Sequence, residues 1–427
     1  MAMDEHPARA PDKSPAEAGG GPSLLALETR AFRNLADGRL RLPAEARLRI
    51  LVGPNGAGKT SLMEAISMLA PGRGMRGARL GEILRAGADP GRGWTVAAAL
   101  VDAYGGERRA VVHALPAATG EEAEEGDDDD APGDAAPAGG PVRLRRQVIL
   151  DGRQTIPAAL SSLATIAWAT PAMDRLFVES AGGRRRFFDR MVASFFPEHA
   201  RLLARHERAM RQRLRLLAER GPAADPHWLA ALEAQLAETG AAIAAARVET
   251  AALLNAHARQ LAPEDFPVPR VAFAGEAEEL IAAGTPALKL EERLRERLRA
   301  RRRADAEERR TGAGVHLSDV VVHGIFPPAR AERPARLAST GEQKVLLLAL
   351  VLVHAELAAL HSGAPVILLL DEVAAHLDAR RRAALFARIA ALRGEVWLSG
   401  TDRTLFGALA RRGDCVLLRI DEGRIGH

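Results

Sequence analysis

Residues 53–60 have the residue types and the spacing of a phosphate-binding loop. They read GPNGAGKT, which is glycine, four residues, glycine, lysine and a hydroxyl residue. Such a loop aims backbone N–H groups and a helix N-terminus at a polyphosphate. We expect Lys59 to reach the β- and γ-phosphates and the Thr60 hydroxyl to ligate Mg²⁺. The predicted nucleotide contacts in this segment are Gly53, Pro54, Asn55, Gly56, Ala57, Gly58, Lys59, Thr60 and Ser61.

The sequence around the loop predicts the elements that such a loop needs. Residues 46–52 are apolar enough for a strand that enters a core, and residues 61–70 place Leu62, Ile66 and Leu69 on one helical face. The alternative is a chance glycine turn, which the complete pattern in this context disfavours. The chain also has only four lysines among many arginines, so a lysine at this position is informative. These lysines are Lys13, Lys59, Lys289 and Lys344.

A second segment has carboxylates that could complete a nucleotide site. The strand at residues 366–370 is wholly apolar and ends in Asp371 and Glu372. Asp371 could hold Mg²⁺ opposite Thr60. Glu372 could polarise the attacking water as a general base. The alternative is a buried strand followed by a charged turn, which the presence of the phosphate loop makes less favoured.

A third segment, at residues 339–344, opens a predicted helix before that strand. Ser339, Thr340 and Gly341 combine a hydroxyl cap, a bare glycine and unpaired N–H groups, which together could bind an anion. The alternative is an ordinary helix cap, with Glu342 completing a capping box.

Length and composition indicate a globular chain of two or three domains. The 427 residues are 47% apolar and 27% charged, with a formal net charge of +4. The single cysteine, Cys415, excludes an internal disulfide and fits a reducing compartment. The longest apolar run, residues 345–353, is too short to span a bilayer, and no signal pattern is seen at the N-terminus. We therefore expect a cytoplasmic protein that does not associate with membranes.

The periodicity along the chain predicts an α/β head interrupted by a helical arm. The head comprises residues 23–195 and 311–427, and the arm comprises residues 196–310. Two strands are expected within residues 24–51, two antiparallel helices within residues 197–262, one helix over residues 287–310 and a terminal hairpin. Residues 1–22 are expected to be a disordered tail, and residues 120–140 a disordered acidic insertion rather than a metal site or a DNA mimic.

Serine-x-glycine at a helix start, before an Asp-Glu strand, resembles the signature motif of the ABC-type ATPase superfamily. In that superfamily the signature of one subunit completes the ATP site of a second subunit. The resemblance implies a P-loop ATPase head with a mixed β-sheet plus antiparallel strands. Asp378 matches the aspartate of the D-loop, so Ser339, Thr340, Gly341 and Asp378 join the expected ATP contacts.

Within that superfamily the chain resembles the RecF family of bacterial recombination mediators. The resemblance covers nearly everything from Leu24 onward and is carried by Phe32-Arg33-Asn34 and by residues 53–76, 170–189 and 339–378. It implies an ATP-driven homodimer that clamps duplex or gapped DNA and helps to load a recombinase, in recombinational repair and replication restart. It also implies mediator partners of the RecO and RecR kind.

Three departures from the family pattern bear on the activity. The switch histidine of many ABC ATPases is absent, with residues 399–402 (SGTD) in its place, which predicts slow, DNA-stimulated ATP hydrolysis. Val315 and Leu317 replace a proline and an arginine of a Gly-Pro-His-Arg stretch. No glutamine can be identified as that of the Q-loop.

Clustered arginines indicate contacts with a nucleic-acid backbone. One tyrosine and 4% aromatic residues give little support to base stacking, so duplex reading is favoured. The alternative is that these arginines belong to solvated faces or pair with nearby glutamates. The candidates for DNA contact are Arg73, Arg76, Arg184, Arg185, Arg186, Arg211 and Arg213.

Two other functions remain open from the sequence. One is a scaffold of the SMC type, in which ATP is structural and its turnover is negligible. The other is an ABC transport ATPase, which would need a Q-loop and a surface that docks transmembrane helices. DNA stimulation of the ATPase would favour the repair function, and its absence would favour the scaffold.

Overall fold

The computed structural model describes most of the chain from Leu24 onward. The segments predicted to be a disordered tail and a disordered acidic insertion lie outside the residues that it describes. The described residues are 24–102, 105–116, 144–221, 224–261, 266–327, 330–361, 365–375 and 377–426.

A six-stranded, mostly parallel sheet forms the centre of the head. Five of its strands run parallel, and the last strand of the chain adds to one edge in the antiparallel direction. Parallel strands are covered on both faces, which explains why the segment from Val366 to Leu370 is apolar at every position. In spatial order the strands are β15 (Arg424–Gly426), β14 (Cys415–Asp421), β3 (Leu48–Val52), β13 (Glu395–Gly400), β12 (Val366–Leu370) and β8 (Thr165–Ala169).

A second, antiparallel sheet lies beside the first. The prediction of two strands within residues 24–51 was wrong, because the chain forms three. After β1 (Leu24–Arg30) the chain turns and β2 (Gly38–Arg41) pairs antiparallel with it, whereas β3 belongs to the parallel sheet. In spatial order the strands are β2 (Gly38–Arg41), β1 (Leu24–Arg30), β4 (Trp94–Val101), β5 (Glu107–Pro116), β6 (Leu144–Leu150) and β7 (Arg153–Thr155).

The helices divide between the head and the arm. In the head, α9 (Thr340–His361) runs through the core and is largely buried. Among the described residues it is the one helix that is long and apolar enough to cross a membrane. The head helices are α1 (Lys59–Ser67), α2 (Leu80–Ile83), α3 (Ala181–Phe195), α9 (Thr340–His361), α10 (Ala379–Ala391) and α11 (Gly407–Ala410). The arm helices are α4 (His199–Arg220), α5 (Pro226–Leu261), α6 (Glu276–Ala282), α7 (Ala287–Ala300) and α8 (Arg302–Glu308).

The arm contains the predicted helical hairpin and two features that were not predicted. Helices α4 and α5 pack antiparallel, since His206 contacts Thr239 and Arg213, further along α4, contacts the earlier Glu233 of α5. The single helix predicted over residues 287–310 is divided at Arg301, whose backbone ends α7 and starts α8. A strand, β9 (Val268–Ala274), lies within the predicted arm, residues 196–310, and pairs with β10 (Asp319–Phe326), which pairs in turn with β11 (Ala331–Pro334). This three-stranded sheet therefore crosses the predicted boundary between arm and head.

A buried ion pair joins the two large sheets. The guanidinium of Arg49 on β3 donates to the Glu395 carboxylate on β13 and to the Leu24 carbonyl, the latter at 2.8 Å. The second Glu395 oxygen accepts from the Leu24 N–H at 2.8 Å, and the Trp397 indole also donates to this carboxylate. Each side chain of the pair is fully buried, so these hydrogen bonds are needed to offset the loss of hydration.

The turn between β14 and β15 packs against the phosphate loop. The Gly423 N–H donates to the Ala57 carbonyl at 2.8 Å, and the Gly423 carbonyl accepts from Ala36 at 3.0 Å. Gly423 has a φ of +75°, and a Cβ at this position would lie 2.0 Å from the Asn34 carbonyl oxygen. A residue with a side chain therefore cannot occupy this position without moving the backbone.

We expect Gly423→Ala to lower the free energy of unfolding by at least about 2 kcal/mol, through the left-handed backbone and the backbone clash. Because the displaced turn contacts Ala57, nucleotide affinity should fall as well. Gly426→Ala is the matched control, since a Cβ there meets nothing within 4 Å. Denaturant unfolding and nucleotide titration of both variants test this expectation, and equal stabilities would contradict it.

Candidate nucleotide site

The phosphate loop connects β3 to α1 and depends on glycine at two positions. A Cβ on Gly53 would lie 2.2 Å from the Ile420 carbonyl oxygen, so β14 approaches too closely for a side chain. Gly58 precedes α1 with a φ of +113°, a conformation that glycine adopts without strain. The loop therefore wraps the start of α1 as the sequence pattern predicts.

Lys59 and Thr60 lie at the first turn of α1. Lys59 is buried, and its Nζ donates to the carbonyls of Gly53 at 2.8 Å and Pro54 at 2.9 Å. The ammonium group thus lies against the loop, where polyphosphate would bind. The Thr60 hydroxyl donates to Asp371 Oδ2 at 2.9 Å. The two residues predicted to hold Mg²⁺ are therefore in direct contact, and their hard oxygen atoms fit that ion.

The two carboxylates after β12 have different environments. Asp371 is buried, and its Oδ1 accepts from the Ser399 hydroxyl at 2.6 Å. Glu372 is partly exposed and has a φ of +51°, which is strained for a residue other than glycine. Its N–H donates to the Ser399 oxygen at 2.9 Å. Strained backbone of this kind recurs at functional sites, and here it occurs at the predicted general base.

A cavity of about 680 Å³ opens beside the loop. It is lined by the predicted catalytic residues Lys59 and Glu372 and by residues that the sequence did not assign to the nucleotide site, among them Arg33, Asn34 and Arg85. The lining residues are Arg33, Asn34, Gly56, Gly58, Lys59, Thr60, Ser61, Arg76, Leu84, Arg85, Ala86 and Glu372.

Residues 32–34 connect the antiparallel sheet to the cavity. The Asn34 side chain donates to the Gly56 carbonyl at 2.7 Å and accepts from the Ser61 hydroxyl at 2.7 Å. Arg33 donates to the two oxygens of the fully buried Glu64 at 2.9 and 2.7 Å. This segment was noted in the sequence only as part of a family pattern, and its contacts assign it to the nucleotide site.

The second predicted anion site lies outside the cavity. Ser339 and Thr340 are exposed, and the Ser339 N–H and hydroxyl both donate to Glu342 at 2.9 Å. The Glu342 N–H donates to the Ser339 hydroxyl oxygen at 3.4 Å, so the segment forms the capping box that was the alternative to an anion site. Burial opposes ionisation of Glu342, but its bonds to Ser339 lower the pKa of the carboxyl group below its usual value. None of the residues that line the cavity comes from residues 339–341 of the described chain.

Asp378 also lies outside the cavity. It caps α10, accepting from the Arg381 N–H at 2.8 Å, and is exposed. Its predicted contact with a nucleotide held by a second subunit stays a prediction. Among the described residues there is no group of three or more histidine, cysteine or acidic side chains that could hold a further metal ion.

The predicted DNA-binding arginines differ in their availability. Arg213 was assigned wrongly to the surface: it is fully buried, 3.1 Å from Glu233 and 2.7 Å from Asp305. It faces the arm interior because the helix periodicity places it with Leu216 and Leu217 rather than with the solvated arginines.

Most of the remaining candidates have protein partners. Arg184 makes a bidentate pair with Asp319, Arg185 donates to the Ser318 carbonyl, and Arg76 lies 3.4 Å from Glu64. Arg211 lies 3.9 Å from Glu207, and Arg73 is partly buried. Arg186 is exposed, and no acidic residue of the described chain pairs with it.

Comparison with known proteins identifies the family. The family described as an AAA domain matches residues 23–78. The chain is 40% identical to the DNA replication and repair protein RecF of Caulobacter vibrioides over 399 residues, covering 91% of this chain and 95% of the relative. It is 39% identical to the protein of the same name from Brucella suis over 426 residues, covering 100% and 99%.

Solved structures agree with the fold. A structure of the recombination mediator protein RecF with ATP, in the RecFOR pathway, aligns with a TM-score of 0.72 at 18% identity, covering 95% of this chain and 99% of that one. The predicted α/β ATPase head with an inserted helical lobe is thereby confirmed. On the strength of the full-length sequence relatives, the chain belongs to the RecF family of DNA replication and repair proteins.

Proposed function

We propose that this protein is an ATP-dependent DNA-binding protein of recombinational repair and replication restart, in which ATP joins two copies of the chain around DNA. One observation carries the proposal. Lys59, Thr60 and Glu372 converge on one cavity, whereas Ser339 and Thr340 are exposed outside it. A nucleotide in the cavity would therefore be covered on one side only, and a second copy could supply the missing contacts.

The chemistry expected in the cavity is hydrolysis of the γ-phosphate. Lys59 and the loop N–H groups would bind the β- and γ-phosphates, and Thr60 and Asp371 would hold Mg²⁺, which neutralises phosphate charge when bound. The Glu372 carboxylate would accept a proton from water while the water oxygen bonds to the γ-phosphorus and the bond to ADP breaks. Absence of a switch histidine is consistent with slow turnover.

Binding partners follow from the family. A solved structure similar to this chain is that of RecF in the RecFOR pathway, and on this basis we propose RecO- and RecR-type mediators, a recombinase and duplex or gapped DNA as partners, and a cytoplasmic location. Exposed arginine, above all Arg186, would contact the DNA backbone. Membership of the RecF family argues against a transport ATPase. The scaffold with negligible ATP turnover is the alternative that measurements of ATP hydrolysis test.

Lys59→Ala tests the nucleotide site. Loss of charged hydrogen bonds to phosphate should weaken ATP affinity roughly 10- to 100-fold, and ATP should no longer promote dimerisation. Lys289→Ala is the matched control because this lysine is exposed on α7, away from the cavity. Nucleotide titration and sedimentation with ATP measure both effects. A wild-type protein that stays monomeric with ATP would refute the clamp.

Glu372→Gln tests the general base. We expect turnover to fall about 100-fold or more while ATP stays bound, so the dimer should persist. Glu422→Gln is the matched control, since this exposed glutamate also has a left-handed backbone, with a φ of +45°. Phosphate release and sedimentation provide the measurements, and a Glu372→Gln protein that is monomeric with ATP would exclude the role assigned to Glu372.

Arg186→Ala tests the DNA contact. Removal of one phosphate contact should weaken binding to every duplex sequence alike and reduce the slope of log affinity against log salt by about 0.9. Arg215→Ala is the control, because this exposed arginine already pairs with Glu219 at 2.8 Å. Titration of labelled gapped duplex at several salt concentrations measures the slope. An unchanged slope for Arg186→Ala would remove this residue from the DNA surface.

A further inference from the structure

A buried hydroxyl group connects the two carboxylate residues of the site. Ser399 lies near the end of β13, parallel to β12, and is 1% exposed. Its Oγ donates to Asp371 Oδ1 at 2.6 Å and accepts from the Glu372 N–H at 2.9 Å. One side chain from a neighbouring strand therefore contacts both the predicted metal ligand and the backbone of the predicted general base.

The contact with Asp371 completes a hydrogen-bonded chain. Asp371 Oδ2 accepts from Thr60 at 2.9 Å, and Oδ1 accepts from Ser399. With both oxygens engaged, the carboxylate has a single orientation in which one oxygen faces the Thr60 hydroxyl. Without the Ser399 hydroxyl, rotation about the side-chain bonds of Asp371 would be opposed by Thr60 alone.

The contact with Glu372 stabilises an unfavourable backbone. A φ of +51° is uncommon for a residue other than glycine, so it persists only where the surroundings determine it. The hydrogen bond from the Glu372 N–H to Ser399 is one such constraint, and it fixes the backbone from which the Glu372 side chain reaches the cavity.

We propose that Ser399 is a positioning residue of the ATPase site, which sets the orientation of Asp371 toward Mg²⁺ and of Glu372 toward the attacking water. This inference rests on the proposed function. Ser399 has no contact of its own with the cavity and acts through the two acidic residues.

The experiment compares variants of the full chain in two measurements. The first is the Mg²⁺ concentration that half-saturates binding of a fluorescent ATP analogue, and the second is the single-turnover rate of ATP hydrolysis. Ser399→Ala should raise the Mg²⁺ half-saturation at least fivefold and lower the rate at least tenfold, with Mg²⁺-free nucleotide affinity within twofold of wild type. Ser399→Thr, which retains a hydroxyl, should restore both quantities to within threefold.

Ser318→Ala is the matched control. The Ser318 hydroxyl is also buried and donates to a buried carboxylate, Glu278, at 2.6 Å, but it lies at the junction of arm and head. Both measurements should be unchanged in this variant, whereas its melting temperature should fall. If Ser399→Ala does not fold, Ser399→Cys gives the second test, since a thiol of similar size is a weak hydrogen-bonding group.

The outcomes separate this inference from the proposed function. A folded Ser399→Ala protein with wild-type Mg²⁺ dependence and rate would overturn the inference, and so would a Ser399→Thr protein as defective as Ser399→Ala. If the wild type binds ATP without hydrolysing it, the proposed hydrolysis fails, while the Mg²⁺ half-saturation still decides the role of Ser399. If the wild type does not bind ATP, both proposals fall together.

Discussion

The nucleotide site depends on how the two ends of the described chain fix the phosphate loop. The terminal hairpin contacts it through Gly423 and Ala57, and the N-terminal segment contacts it through Asn34 and Gly56. A loop whose N–H groups must point at phosphate cannot satisfy them internally, so outside contacts have to hold its shape. Because these two contacts use the carbonyls of Ala57 and Gly56, they occupy none of the N–H groups of the loop. Preorganised dipoles of this kind need little rearrangement when a ligand binds.

Arginine is used in this protein as an interior connector as well as a surface charge. Arg49 joins the two sheets, Arg213 on α4 contacts three other arm helices, α5, α7 and α8, and Arg247 pairs with Asp189 and Glu278 where the arm meets the head. Burial alone would raise the pKa of Asp189, but hydrogen bonds from His199 and Arg247 lower it. The planar guanidinium suits such sites because it can bridge several acceptors at once.

The positions of the site residues support the proposal that a second copy completes the site. The cavity is lined by residues of the phosphate loop and the start of α1, by Arg33 and Asn34, by residues within 76–86 and by Glu372 after β12. The phosphate loop and Glu372 both follow the carboxyl ends of strands of the parallel sheet. Ser339, which caps the start of α9, is exposed, whereas most of that helix is buried. If Ser339 of a second copy completed the site, as we propose, assembly and nucleotide binding would depend on each other, which is the physical basis of the proposed clamp.

Local patterns in the sequence were sufficient to predict the strand, loop and helix around the phosphate loop, the carboxylates after β12 and the helical hairpin, and they left an anion site and a capping box at Ser339 as alternatives. Each depends on neighbouring residues, whose spacing decides strand, loop or helix. Only the tertiary structure revealed the contacts of Ser399 with Asp371 and Glu372, the contact of Gly423 with the phosphate loop and the burial of Arg213. These involve residues far apart in the chain, such as Gly423 and Asn34, so their meeting depends on sheet order and helix packing, which no local pattern encodes.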